Sequence, residues 1–249
     1  AIAYLQRRGL SRRTVTNFGL GYALNSWDAL IRAMTEKGYS KREMLDAGLA
    51  VESQKGSIYD RFRGRIIFPI IDVRGNVIGF GGRVLDDSTP KYLNSPDTPI
   101  YNKSKNLFAL NLAKRSKAGR LILTEGYMDT IALHQGGFDC AVASLGTSLT
   151  EDHARLISRY TKEVILAYDG DAAGVNAAQR AIPILDKTGL HVRVLQMRGA
   201  KDPDEFIRKF GREAFQRLLD GSENQMEYRL EQLRSKFHLE DPADRVAYL

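Results

Sequence analysis

The chain has 249 residues, 43% hydrophobic and 27% charged, with a formal net charge of +7. That length allows a buried core and more than one subdomain, and it excludes a peptide-sized binding motif. No apolar run approaches the ~20 residues of a membrane span, so a soluble globular protein with no membrane partner is expected.

The opening AIAYLQRRGL has neither an initiator Met nor the apolar core of a signal peptide, and it reads as a start inside a longer protein. Helical periodicity fills the first 50 residues, with Ser26 and Ser40 as expected N-caps, a capping box of Ser40 with Glu43, and stops at Gly38 and Gly48. RIIFPIIDV and VIGFGGRVL then read as two strands joined by a hairpin turn at Arg74-Gly75-Asn76. Gly79, Gly81 and Gly82 strip side chains from the second strand, which permits close approach of a neighbour or ligand. Ser88 to Lys105 reads as a surface loop, and a helix is predicted over 107–117.

Beyond Gly119 the pattern changes. The strands RLILT, FDCAVAS, EVILAYD and HVRVLQM alternate with helices predicted near 127–136, 150–159 and 172–188, and Ser148 with Glu151 offers a second capping box. Such alternation calls for right-handed crossovers and a mainly parallel sheet. From Asp202 only helical periodicity remains, in RKFGREAFQRLLD and EYRLEQLRSKF. The expected fold is therefore α/β: a parallel sheet flanked by helices over 119–201, an N-terminal α+β subdomain over 1–118 and a C-terminal helical subdomain over 202–249.

Charge divides along the same line. Residues 1–118 hold 20 Lys and Arg against 10 Asp and Glu, whereas residues 119–249 hold 17 against 20. A basic surface beside an acidic pocket suits a protein that grips a phosphate backbone while its carboxylates hold metal ions. The single cysteine, Cys140, sits in the apolar run CAVA as an expected core thiol, and His134, His153, His191 and His238 lack ligand spacing. Zinc is not expected.

The acids of the second half stand at particular places. Glu125 follows the first of these strands, Asp169 and Asp171 the third, and Asp202 and Asp204 the fourth. In a parallel sheet those ends share one edge, so the carboxylates should converge there. Asp129, four residues past Glu125, is expected to share its helix face. Two unit charges ~4 Å apart repel by roughly 4 kcal/mol at an effective dielectric near 20, so a cation must compensate. Oxygen-only ligands favour Mg²⁺ or Mn²⁺, and two such ions point to phosphoryl or nucleotidyl transfer. A structural alternative stays open: Asp202-Pro203-Asp204-Glu205 is also a good helix start, and Asp171 can cap a helix beginning at Ala172.

EGYMD (125–129), AYDGDAAG (167–174) and KDPDE (201–205) resemble the conserved elements of a Toprim domain, a fold shared by primases, topoisomerases and some nucleases. Upstream, RFRGRIIFPI (61–70), VIGFGGR (77–83) and KYLNSP (91–96) are similar to the N-terminal half of the DnaG-type bacterial primase core, and the resemblance runs over nearly the whole chain. It implies an enzyme that joins ribonucleoside triphosphates into short RNA primers on a single-stranded DNA template in the bacterial cytoplasm. It assigns catalysis to Glu125, Asp169 and Asp171, and two or more Mg²⁺ or Mn²⁺ ions to these with Asp129, Asp202 and Asp204. Arg83, Lys91 and Lys103 match nucleotide or template positions, with Arg61, Arg63 and Arg65 as further candidates unless that run pairs with Asp60. Tyr59, Phe62, Tyr92 and Tyr101 are candidates for stacking on bases, with core packing favoured for Phe62. The family's zinc-binding module and its module for the replicative helicase are not expected within this sequence. Two other readings remain, a Toprim nuclease or topoisomerase that cleaves DNA, and a DNA-binding module whose acids are only structural.

Overall fold

The structure, a computed structural model, describes residues 1–224 and 226–228. It opens with helices α1 (Ile2–Arg7) and α2 (Arg12–Asn17), strand β1 (Gly21–Ala23), and helices α3 (Ala29–Glu36) and α4 (Lys41–Asp46). Ser40 and Glu43 form the complete capping box expected at α4. Ser26 does not cap α3: the N-cap is Asp28, whose carboxylate accepts the Ser26 hydroxyl at 3.1 Å. The free amides of Leu30 and Ile31 in the first turn of α3 instead donate to Asp60, about 30 residues away, a long-range cap invisible in any local window. The stretch also holds strand β1, read from sequence as part of a helical region.

Strands β2 (Ala50–Glu52) and β3 (Ile58–Asp60) form a small ribbon. β4 (Arg65–Ile71), β5 (Val77–Val84) and β6 (Tyr92–Asn94) join β1 in an antiparallel sheet of order β1-β4-β5-β6. The turn between β4 and β5 falls at Arg74-Gly75-Asn76 as expected, fastened by Asp72 accepting the amides of Arg74 and Asn76 at 2.8 Å. Ile66, Phe68 and Ile70 alternate onto the buried face. The helix predicted over 107–117 shrinks to α5 (Leu110–Ala113), because Phe108 bridges to Ala143 and Ala109 adopts a left-handed φ of 63°.

Next come β7 (Arg120–Thr124), α6 (Tyr127–Gln135), β8 (Ala141–Ala143), α7 (Glu151–Ile157), β9 (Glu163–Leu166), α8 (Ala172–Asp186) and β10 (His191–Val194). The chain continues with α9 (Pro203–Asp220), kinked at Gly211, and β11 (Glu223–Asn224). The sheet order is β11-β10-β9-β7-β8, with β10, β9, β7 and β8 parallel as expected. Two details differ from the sequence reading. Thr150 with His153, rather than Ser148 with Glu151, closes the capping box of α7, and β11 adds an antiparallel edge strand where only helices were expected. Most of EYRLEQLRSKF, and His238, lie outside the described residues.

Helix α6 is apolar on nearly every side, and it is packed from two directions. Leu133 joins the core of the parallel sheet with Leu123, Ile165 and Phe215, while Tyr127, Met128 and Ile131 join Phe68, Ile70 and Phe108 in the core beneath the antiparallel sheet. Both sheets thus bear on the helix that carries Asp129.

Candidate active site

The four parallel strands explain where the acids gather. From β7 the chain crosses by α6 to β8 on one side, and from β9 it crosses by α8 to β10 on the other. The crevice where crossovers diverge is where open parallel sheets bind ligands. Glu125 leaves the end of β7 and Asp169 lies just past β9, and the two meet there: Oε1 of Glu125 accepts the Asp169 amide at 3.0 Å. Gly174 allows the contact, since a Cβ on it would stand 2.0 Å from the Asp169 carbonyl oxygen and 2.8 Å from Oε1 of Glu125.

Glu125, Asp129, Asp169 and Asp202 line one cavity of about 300 Å³ with Arg8, Arg83, Lys91 and Lys201. Gly126 is the N-cap of α6, so Glu125 lies outside the helix, and Asp129 reaches the cavity from the first turn rather than by sharing a helix face with it. Burial, followed by the charges of Asp202 and Asp169, pushes the Asp129 carboxyl up to about 8. Burial and then Glu125 raise Asp169 to about 6. Carboxyls held this far from their ordinary range lack a positive charge, and an all-oxygen donor set fits a hard divalent cation. Among the described residues, however, no three acids, histidines or cysteines already stand in a metal-holding group. The acids form a wall rather than a closed cage.

The remaining candidates separate. Asp171 is exposed and caps α8 by accepting the Gly174 amide at 2.9 Å. Asp202 caps α9 through the Glu205 amide at 2.7 Å while also lining the cavity, so its structural and site roles coincide. Asp204 is fully buried, its carboxylate held by Arg8 and by Nε of Arg208, the latter at 3.1 Å. Its own amide donates to Asp129 at 3.3 Å. The structure therefore places Asp204 behind Asp129 rather than in the wall.

Of the basic candidates, Arg83 and Lys91 line the cavity, and Arg83 donates to the Tyr92 hydroxyl at 2.5 Å. Lys103 is exposed away from it. The run Arg61, Arg63 and Arg65 turns mostly inward. Arg61 donates to the Asn94 carbonyl at 2.8 Å, Arg63 lies 4.0 Å above the Trp27 ring, and Arg65 is buried with its guanidinium toward the carbonyls of Gly82 and Lys91. The carboxylate of Asp60, the acid considered as a partner for this run, caps α3, while Arg63 donates to the Asp60 backbone carbonyl. Tyr101 is buried, whereas Tyr92 is half-buried, lines the cavity and receives the Arg83 guanidinium on its hydroxyl. Sequence reasoning missed Arg8, Asn94, Tyr127 and Lys201. Asn94 and Tyr127 lay inside recognised motifs, and their role appears only as the bonds from Tyr127 to Asn94 at 2.8 Å and from Asn94 to the Leu145 carbonyl at 3.0 Å. No described helix is long and apolar enough to cross a membrane.

Comparison with known proteins gives a consistent picture. A family described as DNA primase catalytic core, N-terminal domain, matches residues 1–114, and a Toprim-like family matches residues 122–207. A DNA primase of Clostridium acetobutylicum is 47% identical over 247 residues, covering 99% of this chain and 41% of that protein. The DNA primase of Escherichia coli K12 is 45% identical over 223 residues, covering 87% of this chain and 38% of that protein. The chain thus spans about two fifths of the length of the curated relatives it matches. Among solved structures, a DnaG primase catalytic domain bound to single-stranded DNA superposes with a TM-score of 0.86 at 41% identity, covering 98% of this chain and 78% of that one. A primase domain from Pseudomonas aeruginosa gives 0.90 at 39%, covering 99% and 79%.

Proposed function

Since the chain belongs to the DnaG-type family of bacterial DNA primases, we propose that it is the polymerase core that builds short RNA primers on single-stranded DNA. One observation carries this reading: Glu125 and Asp169 meet at the switch point of the parallel sheet, in one cavity with Asp129, Asp202 and four basic side chains.

The electrostatics suit a nucleoside triphosphate. Arg83, Lys91 and Lys201 bring positive charge to a cavity that the acids also line, which suits a polyanion whose divalent counterions those acids would hold. Glu125, Asp129, Asp169 and Asp202 would hold Mg²⁺ or Mn²⁺, with Asp171 beside them and Asp204 supporting Asp129 from behind. When bound, such ions neutralise charge at the reacting phosphates. In the reaction a terminal ribose 3′-hydroxyl attacks the α-phosphate. The new P–O bond forms as the bond to the β-phosphate breaks, pyrophosphate leaves, and the hydroxyl proton passes to Glu125. That carboxylate is oriented to receive it, because Oε1 is tied to the Asp169 amide while its other oxygen has no hydrogen-bond partner among the described residues.

The similar DnaG catalytic domain is bound to single-stranded DNA, which supports a template of the same kind here, lying along the basic N-terminal half. Family membership supports extending the proposal to three further elements: ribonucleotides as substrates, work in the bacterial cytoplasm at the replication fork, and coupling to the replicative helicase through a segment outside these residues. The decisive experiment measures ribonucleotide incorporation on single-stranded DNA with Mg²⁺ or Mn²⁺. Glu125→Ala and Asp169→Ala should abolish it, and wild-type-like synthesis in either variant rejects the proposal. Nicking of supercoiled DNA by the unaltered chain would favour a cleaving Toprim enzyme instead.

A further inference from the structure

Glu125 faces a second cavity on the side away from Arg83 and Lys91. This one measures about 340 Å³ and lies between the loop that joins β8 to α7 and the exposed flank of α8. Its wall differs in kind from the first. It carries the hydroxyls of Ser144, Thr147 and Ser148, an apolar floor that includes Leu149 and Tyr168, and one cation, Arg180. Among the described residues none of the three hydroxyls and no guanidinium nitrogen of Arg180 has a hydrogen-bond or ion-pair partner in the protein. Three hydroxyls and an arginine, all open to one concavity in the size range of small-molecule sites, roughly 300–1,000 Å³, form a polar surface with nothing of its own chain to bind.

We propose that this cavity is the subsite for the 3′-terminal nucleotide of the growing RNA strand, an assignment that rests on the polymerase reading above. Bond formation needs the attacking hydroxyl and the leaving pyrophosphate on opposite sides of one phosphorus, roughly in line. Two nucleotides must therefore flank the acids. The first cavity, with four basic residues, matches the several negative charges of a triphosphate. The second, with a single arginine, matches one phosphodiester, and its hydroxyls match a ribose. Glu125 and Ser144 line both cavities, so a strand end seated in the second delivers its 3′-hydroxyl to the carboxylate that the first presents. Arg180 stands on α8, whose N-cap Asp171 follows directly from the Asp169 loop, and this fixes its distance from the acids through a rigid element.

The test is steady-state extension of a ribodinucleotide by the full chain on a saturating single-stranded DNA template, varying the dinucleotide and the ribonucleoside triphosphate separately. Arg180→Ala should raise the KM for the dinucleotide about tenfold, the usual weight of one charge-assisted contact, with the KM for the triphosphate unchanged. Ala177→Leu, which fills the same cavity from α8, should produce the same split without removing a charge. Arg180→Lys should recover part of the loss. If the unaltered chain extends the dinucleotide but neither Arg180→Ala nor Ala177→Leu changes its KM, or if the triphosphate KM rises instead, the assignment is wrong and the polymerase reading survives. If the unaltered chain extends nothing, both fall together.

Discussion

The guanidinium of Arg8, the C-cap residue of α1, closes on the carboxylate of Asp204, 196 residues further along. Asp204 is fully buried while Arg8 keeps 27% of its side chain exposed, and Arg208 holds the second carboxylate oxygen. Through its amide Asp204 also supports Asp129, so the pair ties the N-terminal segment to the acid wall. Breaking a buried pair from one side leaves an uncompensated charge, at about 3–5 kcal/mol. Asp204→Ala should approach that loss. Arg8→Ala should cost less, about 2 kcal/mol, because Arg208 remains and Arg8 is partly solvated. Chemical denaturation of both variants and of the double variant checks this, with a coupling of at least ~1 kcal/mol expected in the cycle.

Gly81 sits where Tyr127 crosses the antiparallel sheet, and a Cβ there would lie 2.5 Å from Cζ and the hydroxyl oxygen of that ring. The ring cannot retreat, since it is stacked on Phe68 at 4.9 Å and edged by Phe108 at 4.8 Å. Gly81→Ala should therefore destabilise the protein by about 1–3 kcal/mol through overpacking and push α6, with Asp129, out of register with Asp169. Thermal unfolding and ribonucleotide incorporation should fall together. Tyr127→Phe should not rescue either, because Cζ remains.

The parts of this molecule legible in its sequence are those written in local pattern. Apolar runs ending at Glu125 and before Asp169 located the parallel strands, and the spacing of acids after them located the cavity. What escaped depends on distant partners. Ser26 has the chemistry of an N-cap, but α3 is served by Asp60 from another strand. RFRGR reads as an exposed basic run, yet Arg65 is buried against the carbonyls of Gly82 and Lys91. Arg8 carries no local signal of its role, because its partner Asp204 lies 196 residues further along.

Asp129 is buried beside Asp202 and Asp169, and its carboxyl is raised to about 8. For an acid the sign is unfavourable: the unfolded chain releases its proton near 3.8 while the folded one resists, so metal-free stability drains away as pH rises between those values. Asp129→Asn removes the conflict. The metal-free variant should melt at least ~2–4 °C higher at about pH 7.5, corresponding to about 1 kcal/mol, while losing polymerase activity. Added Mg²⁺ should raise the melting temperature of the unaltered protein more than that of the variant, and differential scanning calorimetry with and without chelator measures both.

His153 is fully buried, and its contacts keep it neutral, since Nδ1 accepts the Thr150 amide at 3.2 Å while Nε2 faces the carbonyls of Lys103 and Asn106 at 3.0 Å. Burial lowers its pKa below the ordinary 6.5. As pH falls through 6.5 the unfolded chain takes up a proton that the folded chain refuses, so stability is complete above that value and declines below it. His134, half-buried beside the Ala141 carbonyl, is shifted in the same direction by its burial. Urea midpoints should therefore drop between about pH 7 and about pH 5.5. His153→Gln should lower the midpoint at neutral pH and flatten this acid slope.

In the register of β4 with β5, Arg65 pairs with Val84 and Arg83 with Ile66, so the two arginines stand one position apart on opposite faces of the sheet, and their surroundings assign them opposite roles. Arg83 opens to the cavity beside Lys91, whereas burial lowers the pKa of Arg65 and fixes it within the sheet. If phosphate contacts drive template binding, log affinity falls linearly with log salt, and each contact to a single strand contributes about 0.7 to the slope. Arg83→Ala and Lys91→Ala should each flatten the slope by roughly that amount and weaken binding most at low salt. Arg65→Ala should leave the slope unchanged and instead lower the unfolding midpoint, because it removes a buried side chain packed within the sheet. Fluorescence anisotropy of a labelled oligonucleotide across a salt series, run beside denaturation of the same three variants, separates the two roles. A lost salt dependence in Arg65→Ala with undiminished stability would return the whole RFRGR run to the template surface.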